Sequence, residues 1–249
     1  MAASQQQQQQ RDVVLAFDLY GTLLSTESIA KQLAEHFGDE KARAIAALWR
    51  RYQLEYTWRL NSMNQYEPFS HVTIRSLKHA LADSSVSLEQ AAIESLMKAY
   101  DSLSTFPDVP PALETLSSTP GITAVVFSNG TQSMVSNSVN SSPDLAPHSK
   151  AFQQIVVVEE VSRYKPAPEV YEMLAKKVGK RRQMGDIWLV SGNPFDVVGA
   201  RAVGMQAAWV DRAGNGWTDG LVEGGEGRPT VVVRGLGEVL EAVQKHAAQ

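Results

Sequence analysis

Four short polar clusters, each standing after an apolar run, hold the side chains with the most chemistry to offer. Asp18 follows Val13-Val14-Leu15-Ala16-Phe17, a run long enough for a buried strand, and Gly21 permits a tight turn three residues on. Ser128-Asn129-Gly130 follows the apolar run 123–127, Lys165 lies just beyond 155–158, and Ser191-Gly192-Asn193-Pro194-Phe195-Asp196 follows 187–190. Taken singly, each has an ordinary reading: a turn at Asp18 or at Ser128-Asn129-Gly130, a solvated Lys165, a helix cap at Asp196. Taken together, they stand where open α/β sheets keep their sites, in the crevice outside the C-terminal ends of parallel strands. An ionised carboxylate held in a fixed orientation there is a nucleophile.

The elements that must position these groups alternate. Continuous apolar strands are predicted at 13–17, 123–127, 155–158, 187–190, 207–210 and 230–233, with helices at 112–118, around 170–178, at 197–203 and from 236 to about 246. Uninterrupted apolar strands separated by helices mean a parallel sheet covered on both faces, so the expected fold is α/β, a Rossmann-like doubly wound core. Between the first two strands the pattern turns helical. Ile45, Leu48, Trp49, Tyr52, Tyr56, Leu60 and Met63 recur at three- and four-residue steps, which predicts one long amphipathic helix. Val72, Ile74, Leu77 and Leu81 predict a second; Ser87-Leu88-Glu89-Gln90 reads as a capping box opening a third. Residues 26–106 are therefore expected to form an all-α cap inserted into a core of 12–25 and 107–249, with the proline-rich 106–111 as the linker back. Residues 1–11, rich in glutamine, read as a disordered tail outside the fold.

Composition narrows the function. The 249 residues carry a net charge of −4 and no long basic run, which gives no support for nucleic-acid binding. There is no cysteine, so disulfides, thiolate catalysis and Cys-ligated zinc are excluded. No apolar run approaches the ~20 residues that span a bilayer, and the N-terminus lacks an apolar signal core, so no membrane partner is expected and the cytoplasm is the default location.

Phe17-Asp18-Leu19-Tyr20-Gly21-Thr22-Leu23, Ser128-Asn129-Gly130, Lys165-Pro166 and the 191–196 cluster resemble, in order and spacing, the four motifs of the haloacid dehalogenase superfamily. Leu48-Trp49-Arg50 and Leu54-Glu55-Tyr56-Thr57-Trp58 resemble the cap signature of its L-2-haloacid dehalogenase branch. Most of the superfamily are magnesium phosphatases with a second acid two residues after the nucleophile and a Gly-Asp pair in the last motif. Here those positions hold Tyr20 and Gly192-Asn193. A phenol with an ordinary pKa near ~10 does not replace that acid at neutral pH, and a lost carboxylate leaves a poor magnesium site. No cofactor is therefore expected, and Lys165 supplies the positive charge beside Asp18.

The resemblance implies a mechanism. Asp18 displaces halide from the α-carbon of a 2-halo carboxylate with inversion, and water activated by Asp196 hydrolyses the resulting ester. Lys165, Thr22, Tyr171 and Ser191 hold the charged network, and Asn193 is a further catalytic position. Ser128 and the backbone N–H groups near Leu19 and Tyr20 bind the substrate carboxylate. Arg50 and Asn129 stabilise the halide, and Tyr20, Leu54, Phe69 and Phe195 line the pocket. It also implies a homodimer. Without the resemblance, Arg50 reads as a solvated helix residue, and Leu54 and Phe69 as cap core. Two departures stand out: Arg51-Tyr52-Gln53 replaces the frequent Gln-Lys-Gln, and Phe195 stands where tryptophan is usual. They leave room for another C–X bond next to a carboxylate. A phosphatase using Asp18 and a non-catalytic binding protein are the rivals; the first predicts magnesium dependence, the second the loss of a catalytic position.

Overall fold

The structure is a computed structural model that describes residues 13–247; the glutamine-rich tail expected at 1–11 lies outside them. Six strands form one parallel sheet: β1 (Val13–Phe17), β2 (Ile122–Ser128), β3 (Gln154–Val157), β4 (Ile187–Ser191), β5 (Gln206–Val210) and β6 (Val231–Val233). Their order across the sheet is β3-β2-β1-β4-β5-β6. The chain runs outward from β1 to β3, then returns to lay β4 against the other side of β1. That reversal opens a crevice at the C-terminal ends of β1 and β4. β1 is buried from Val14 to Phe17 because it lies in the middle of the sheet, which is what its uninterrupted apolar run requires.

Four helices fall between β1 and β2: α1 (Ala30–Phe37), α2 (Asp39–Ser62), α3 (Phe69–Asp83) and α4 (Gln90–Tyr100). The long predicted helix is α2, about 36 Å at 1.5 Å per residue. Ile45, Trp49, Tyr52, Gln53 and Thr57 lie on its buried side. The strands leaving and rejoining the core run side by side: Ser25 N–H donates to Ser104 O at 2.8 Å and Phe106 N–H to Leu23 O at 3.3 Å. Five helices complete the layers, α5 (Val109–Ser117), α6 (Gln132–Ser141), α7 (Pro168–Lys177), α8 (Pro194–Ala202) and α9 (Val239–Ala247).

Three expectations are corrected. Ser87 does not cap α4, and the capping box is not formed. Ser85 turns with φ +53°, Val86 N–H bonds back to Leu81 O, and residues 86–89 stay extended, so the helix begins at Gln90. The prolines read as linker at 110 and 111 belong to α5, where they fill its first turn; an N–H missing there costs no helical bond. For the same reason α8 opens at Pro194, three residues before the predicted start, so Asp196 sits in its first turn. Helix α6, whose start is capped by the Thr131 hydroxyl accepting from Met134 N–H, has no counterpart among the predicted elements.

Candidate active site

The four strand-end clusters meet. Asp18, one residue past β1, is 6% exposed, and Lys165 is 1% exposed, so the pair sits out of bulk water. Lys165 Nζ donates to Asp18 Oδ1 at 3.1 Å, to Asp196 Oδ2 at 2.8 Å and to Phe127 O at 2.8 Å, using all three of its hydrogens. The other Asp18 oxygen accepts from the Thr22 hydroxyl at 2.7 Å and from Asn193 Nδ2 at 2.7 Å. Asp196 is fully buried; its second oxygen accepts from Tyr171 OH at 2.7 Å. Burial pulls the Lys165 ammonium down, but Asp18 and Asp196 together outweigh it and hold it above the ordinary lysine value. Burial raises Asp196 above the usual carboxylate range despite the opposing pull of Lys165, which makes it the more basic for it.

Local geometry explains the placement. Gly21, at φ +89°, turns the chain so that the Leu19 carbonyl accepts from Thr22, Leu23 and Leu24, which returns the Thr22 hydroxyl to Asp18. Thr22 Oγ1 also accepts from Gly192 N–H at 2.9 Å, tying the β1 turn to the β4 turn. A side chain at Gly192 would strike Gly21 O, so this close approach requires glycine. Asn129 Oδ1 accepts from Lys165 N–H at 2.9 Å, which fixes the loop that carries the lysine.

Asp18, Lys165, Asn129 and Asn193 form the polar wall of a cavity of ≈10 Å³, about the room one water needs. Tyr20, Leu54, Phe69 and Phe195 supply the apolar wall, and Arg50 reaches in from α2. Arg50 Nη2 donates to Tyr20 O at 3.0 Å and to Asn193 Oδ1 at 3.4 Å, spanning from the cap to both strand-end turns. Arg50 is thus no solvated helix residue. Arg51 points away, its guanidinium 5.3 Å from the Tyr52 ring centroid. The Tyr20 ring stacks on Phe69 with centroids 5.6 Å apart, and burial lifts its phenol well above the ordinary value.

The remaining expected site residues stand behind the cavity wall. Leu19 is fully buried core. The Ser128 hydroxyl accepts from Gly130 N–H at 3.1 Å, and the Ser191 hydroxyl from Asn193 N–H at 3.1 Å. Ser191 therefore orients the turn of Asn193, whose amide bonds Asp18. Sequence reasoning missed three groups near the site: Gln53 beneath Arg50, Asn61 against Tyr164, and the Arg212–Asp108 pair. Arg212 donates to both Asp108 oxygens at 2.9 and 3.0 Å and to Thr22 O at 2.9 Å, bracing the β1 turn from outside. In the sequence Asp108 sits among prolines and carries only a linker signal.

A magnesium ion of the phosphatase kind does not fit these donors. Asn193 turns its amide N–H₂, not its oxygen, toward Asp18; the Lys165 ammonium occupies the other flank; and Tyr20 offers no charge. Magnesium keeps its waters unless anionic oxygens hold it. Among the described residues, no group of three or more His, Asp or Glu side chains is arranged to hold a metal ion.

The fold and this strand-end quartet define a class: the chain belongs to the haloacid dehalogenase-like hydrolases, whose family model matches residues 14–204. Within it, the chain is 34% identical over 201 residues to the (S)-2-haloacid dehalogenase of Pseudomonas sp. (strain YL), covering 81% of this chain and 83% of that one. It is 32% identical over 200 residues to haloacetate dehalogenase H-2 of Moraxella sp. (strain B), covering 80% and 86%. A dehalogenase solved with an intermediate complex matches with a TM-score of 0.82 at 27% identity, over 93% of this chain and 96% of the other. The six-stranded parallel core with its helical insertion is the fold of this family.

Proposed function

We propose that this chain hydrolyses the carbon–halogen bond of short L-2-haloalkanoic acids, giving D-2-hydroxy acids without a metal. The observation that carries the reading is Asp18: a nearly buried carboxylate with Lys165, Thr22 and Asn193 around it, no second acid at the Tyr20 position, and a cavity in front whose other wall is apolar. The names of the relatives support the substrate class. One Asp18 oxygen attacks the α-carbon from the side opposite the halogen; the carbon–halogen bond breaks, halide departs with the electron pair, and an aspartyl ester remains. Water then attacks Cγ of Asp18, and its proton passes to Asp196. The tetrahedral intermediate releases the hydroxy acid and restores the Asp18 carboxylate, and one proton leaves to solvent. Lys165 balances whichever carboxylate is ionised; Thr22, Tyr171 and Asn193 orient the pair, and Ser191 acts through Asn193.

The same reading assigns the substrate carboxylate to the N–H groups of Leu19 and Tyr20 and to the Ser128 turn, and the halide to Arg50 and Asn129. Leu54, Phe69, Phe195 and the Tyr20 ring bound the substituent on the α-carbon. Residues 26–106 serve as a cap on the core formed by 12–25 and 107–249, opening the tight cavity for substrate. The family resemblance supports a homodimer, which light scattering coupled to size exclusion tests, and the cytoplasm remains the default location. Among the described residues no helix is long and apolar enough to cross a membrane.

The test is halide release from both enantiomers of 2-chloro- and 2-bromopropionate, with chelator and with added magnesium. The expected outcome is release from the L enantiomer only, unchanged by either addition, with D-lactate as product on a chiral column. Loss of activity with chelator and its return with magnesium, or phosphate release from an aryl phosphate, would favour the phosphatase.

A further inference from the structure

Beneath Arg50 lies a buried amide that the mechanism above does not use. Gln53 stands three residues after Arg50 on α2, on the same face of the helix, and is 0% exposed. A buried amide costs free energy unless its donors and acceptors are met. Gln53 meets three of its four valences with side chains of all three packed helices. Its Oε1 accepts from Arg50 Nη1 at 2.8 Å and from Tyr100 OH at 3.1 Å on α4, and its Nε2 donates to Thr73 Oγ1 at 2.8 Å on α3.

The direction of these bonds is forced. Thr73 has one hydroxyl hydrogen, and it goes to Phe69 O at 2.7 Å. Thr73 therefore presents only a lone pair to Gln53, so the amide must turn its N–H₂ that way. Being planar, it then aims its oxygen at Arg50. Arg50 Nη1 is held by Gln53, while Nη2 is held by Tyr20 O and Asn193 Oδ1. Two anchors on a rigid planar fork fix its plane. The second anchor belongs to the core, but the first belongs to the cap's own helices and persists when cap and core separate. We propose that Gln53 is a positioning residue that pre-orients the Arg50 guanidinium toward the departing halide before the cap closes.

This inference rests on the proposed dehalogenation, and the experiment separates the two. A dipole already in place when charge develops acts on the chemical step. Gln53→Met keeps length and packing but removes the acceptor. With 2-chloropropionate, the poorer leaving group, kcat should fall about 10-fold, and with 2-bromopropionate only about 2-fold, with KM held within about 2-fold, since the lost interaction belongs to the transition state. A merely structural fault lowers both substrates alike. Tyr100→Phe removes the other donor on the same oxygen and should leave the chloride-to-bromide ratio at the wild-type value. Should Gln53→Met not fold, Gln53→Asn carries the test: one methylene shorter, it keeps an amide in the core but withdraws the oxygen from Arg50 Nη1, and should shift the ratio the same way. An unchanged ratio in a folded Gln53 variant overturns the inference. A wild-type protein that releases neither halide overturns the dehalogenase reading, and this inference with it.

Discussion

Asp18, Lys165 and Asp196 at the strand ends are each at most 6% exposed, and every one of their carboxylate oxygens has a partner within 3.1 Å. Over the same cavity, Arg50 and Leu54 of α2 are only half-buried, and Arg50 bridges to the core by two bonds of 3.0 and 3.4 Å. The contrast divides the labour. The sheet edge holds a charged triad that would be costly to rearrange, because a buried ion left without its partner destabilises strongly. The cap offers shape and one cation held between Gln53 and the strand-end turns. On the proposed mechanism, bond-making chemistry falls to the first region, and leaving-group stabilisation and access to the second.

Asp18→Asn tests the division most severely. The amide keeps the shape but has no charge to form an ester, so turnover should drop by about 10⁴-fold or more, on the scale of deleting a nucleophile, while the melt stays close to wild type. In the wild type, one turnover in heavy-oxygen water should place label in Asp18, read by peptide mass spectrometry. Label found solely in the hydroxy acid would break the comparison, because the sheet edge would then only bind.

Lys165→Met comes next. It leaves two buried carboxylates facing each other, and should cost about 3–5 kcal/mol of stability as well as most activity. The pH dependence has a definite sign. The folded-state pKa of Lys165 is raised, so its contribution is complete below the unfolded lysine value of about 10.4 and fades as pH climbs through the higher folded value. The stability gap between wild type and variant, measured by denaturant titration, should hold from neutrality up to the ordinary lysine range and shrink above it only in strong alkali. A gap that closes near neutral pH would show a neutral lysine.

Arg50→Ala addresses the cap. Half-buried and away from the triad, it should lower kcat by about 10²-fold, the scale of one lost electrostatic stabiliser, and barely move the melt. Equal losses in stability and rate would return Arg50 to a structural role and erase the contrast.

Much of the sheet edge was legible in the sequence because strand burial and turn chemistry are local. Five apolar residues ending at Asp18, and Ser-Asn-Gly after another apolar run, announce strand ends before any contact is known. That Lys165 Nζ bridges Asp18 and Asp196 came only from the family resemblance, since nothing local joins positions so far apart. The cap was legible as helices but not as contacts. Gln53 looked like one member of an unusual triplet, and its partners Thr73 and Tyr100 lie on two other helices. The failed capping box at Ser87 has the same origin: the motif was present, but the αL turn at Ser85 ending α3 set where the next helix starts. Asn61 gave no signal, because an asparagine near a helix end reads as solvated.

Asn61 offers the smallest and most discriminating test. At the last turn of α2, its Nδ2 donates to Tyr164 O at 2.6 Å, and its Oδ1 accepts from Tyr164 N–H at 2.9 Å. The side chain thus pairs with the core backbone as a neighbouring strand would, one residue before Lys165. Arg163 Nη1 donates to Asn61 O at 3.2 Å beside it, so the cap grips the lysine loop itself. Removing the amide leaves the Tyr164 C=O with its bond from Ala167 N–H at 2.9 Å but strands the buried Tyr164 N–H, which costs about 1–3 kcal/mol. Asn61→Ala should therefore lower the melt measurably and reduce kcat no more than about 3-fold, since the triad's own bonds survive and preorganisation is only loosened. Asn61→Asp keeps the acceptor for Tyr164 N–H but places charge against Tyr164 O, and should be no better than alanine. The decisive quantity is the chloride-to-bromide ratio, which depends on Arg50 and Gln53 and should not change in either variant. A shift in that ratio would mean that the grip at Tyr164 also sets the guanidinium, and that cap and sheet edge act as one unit.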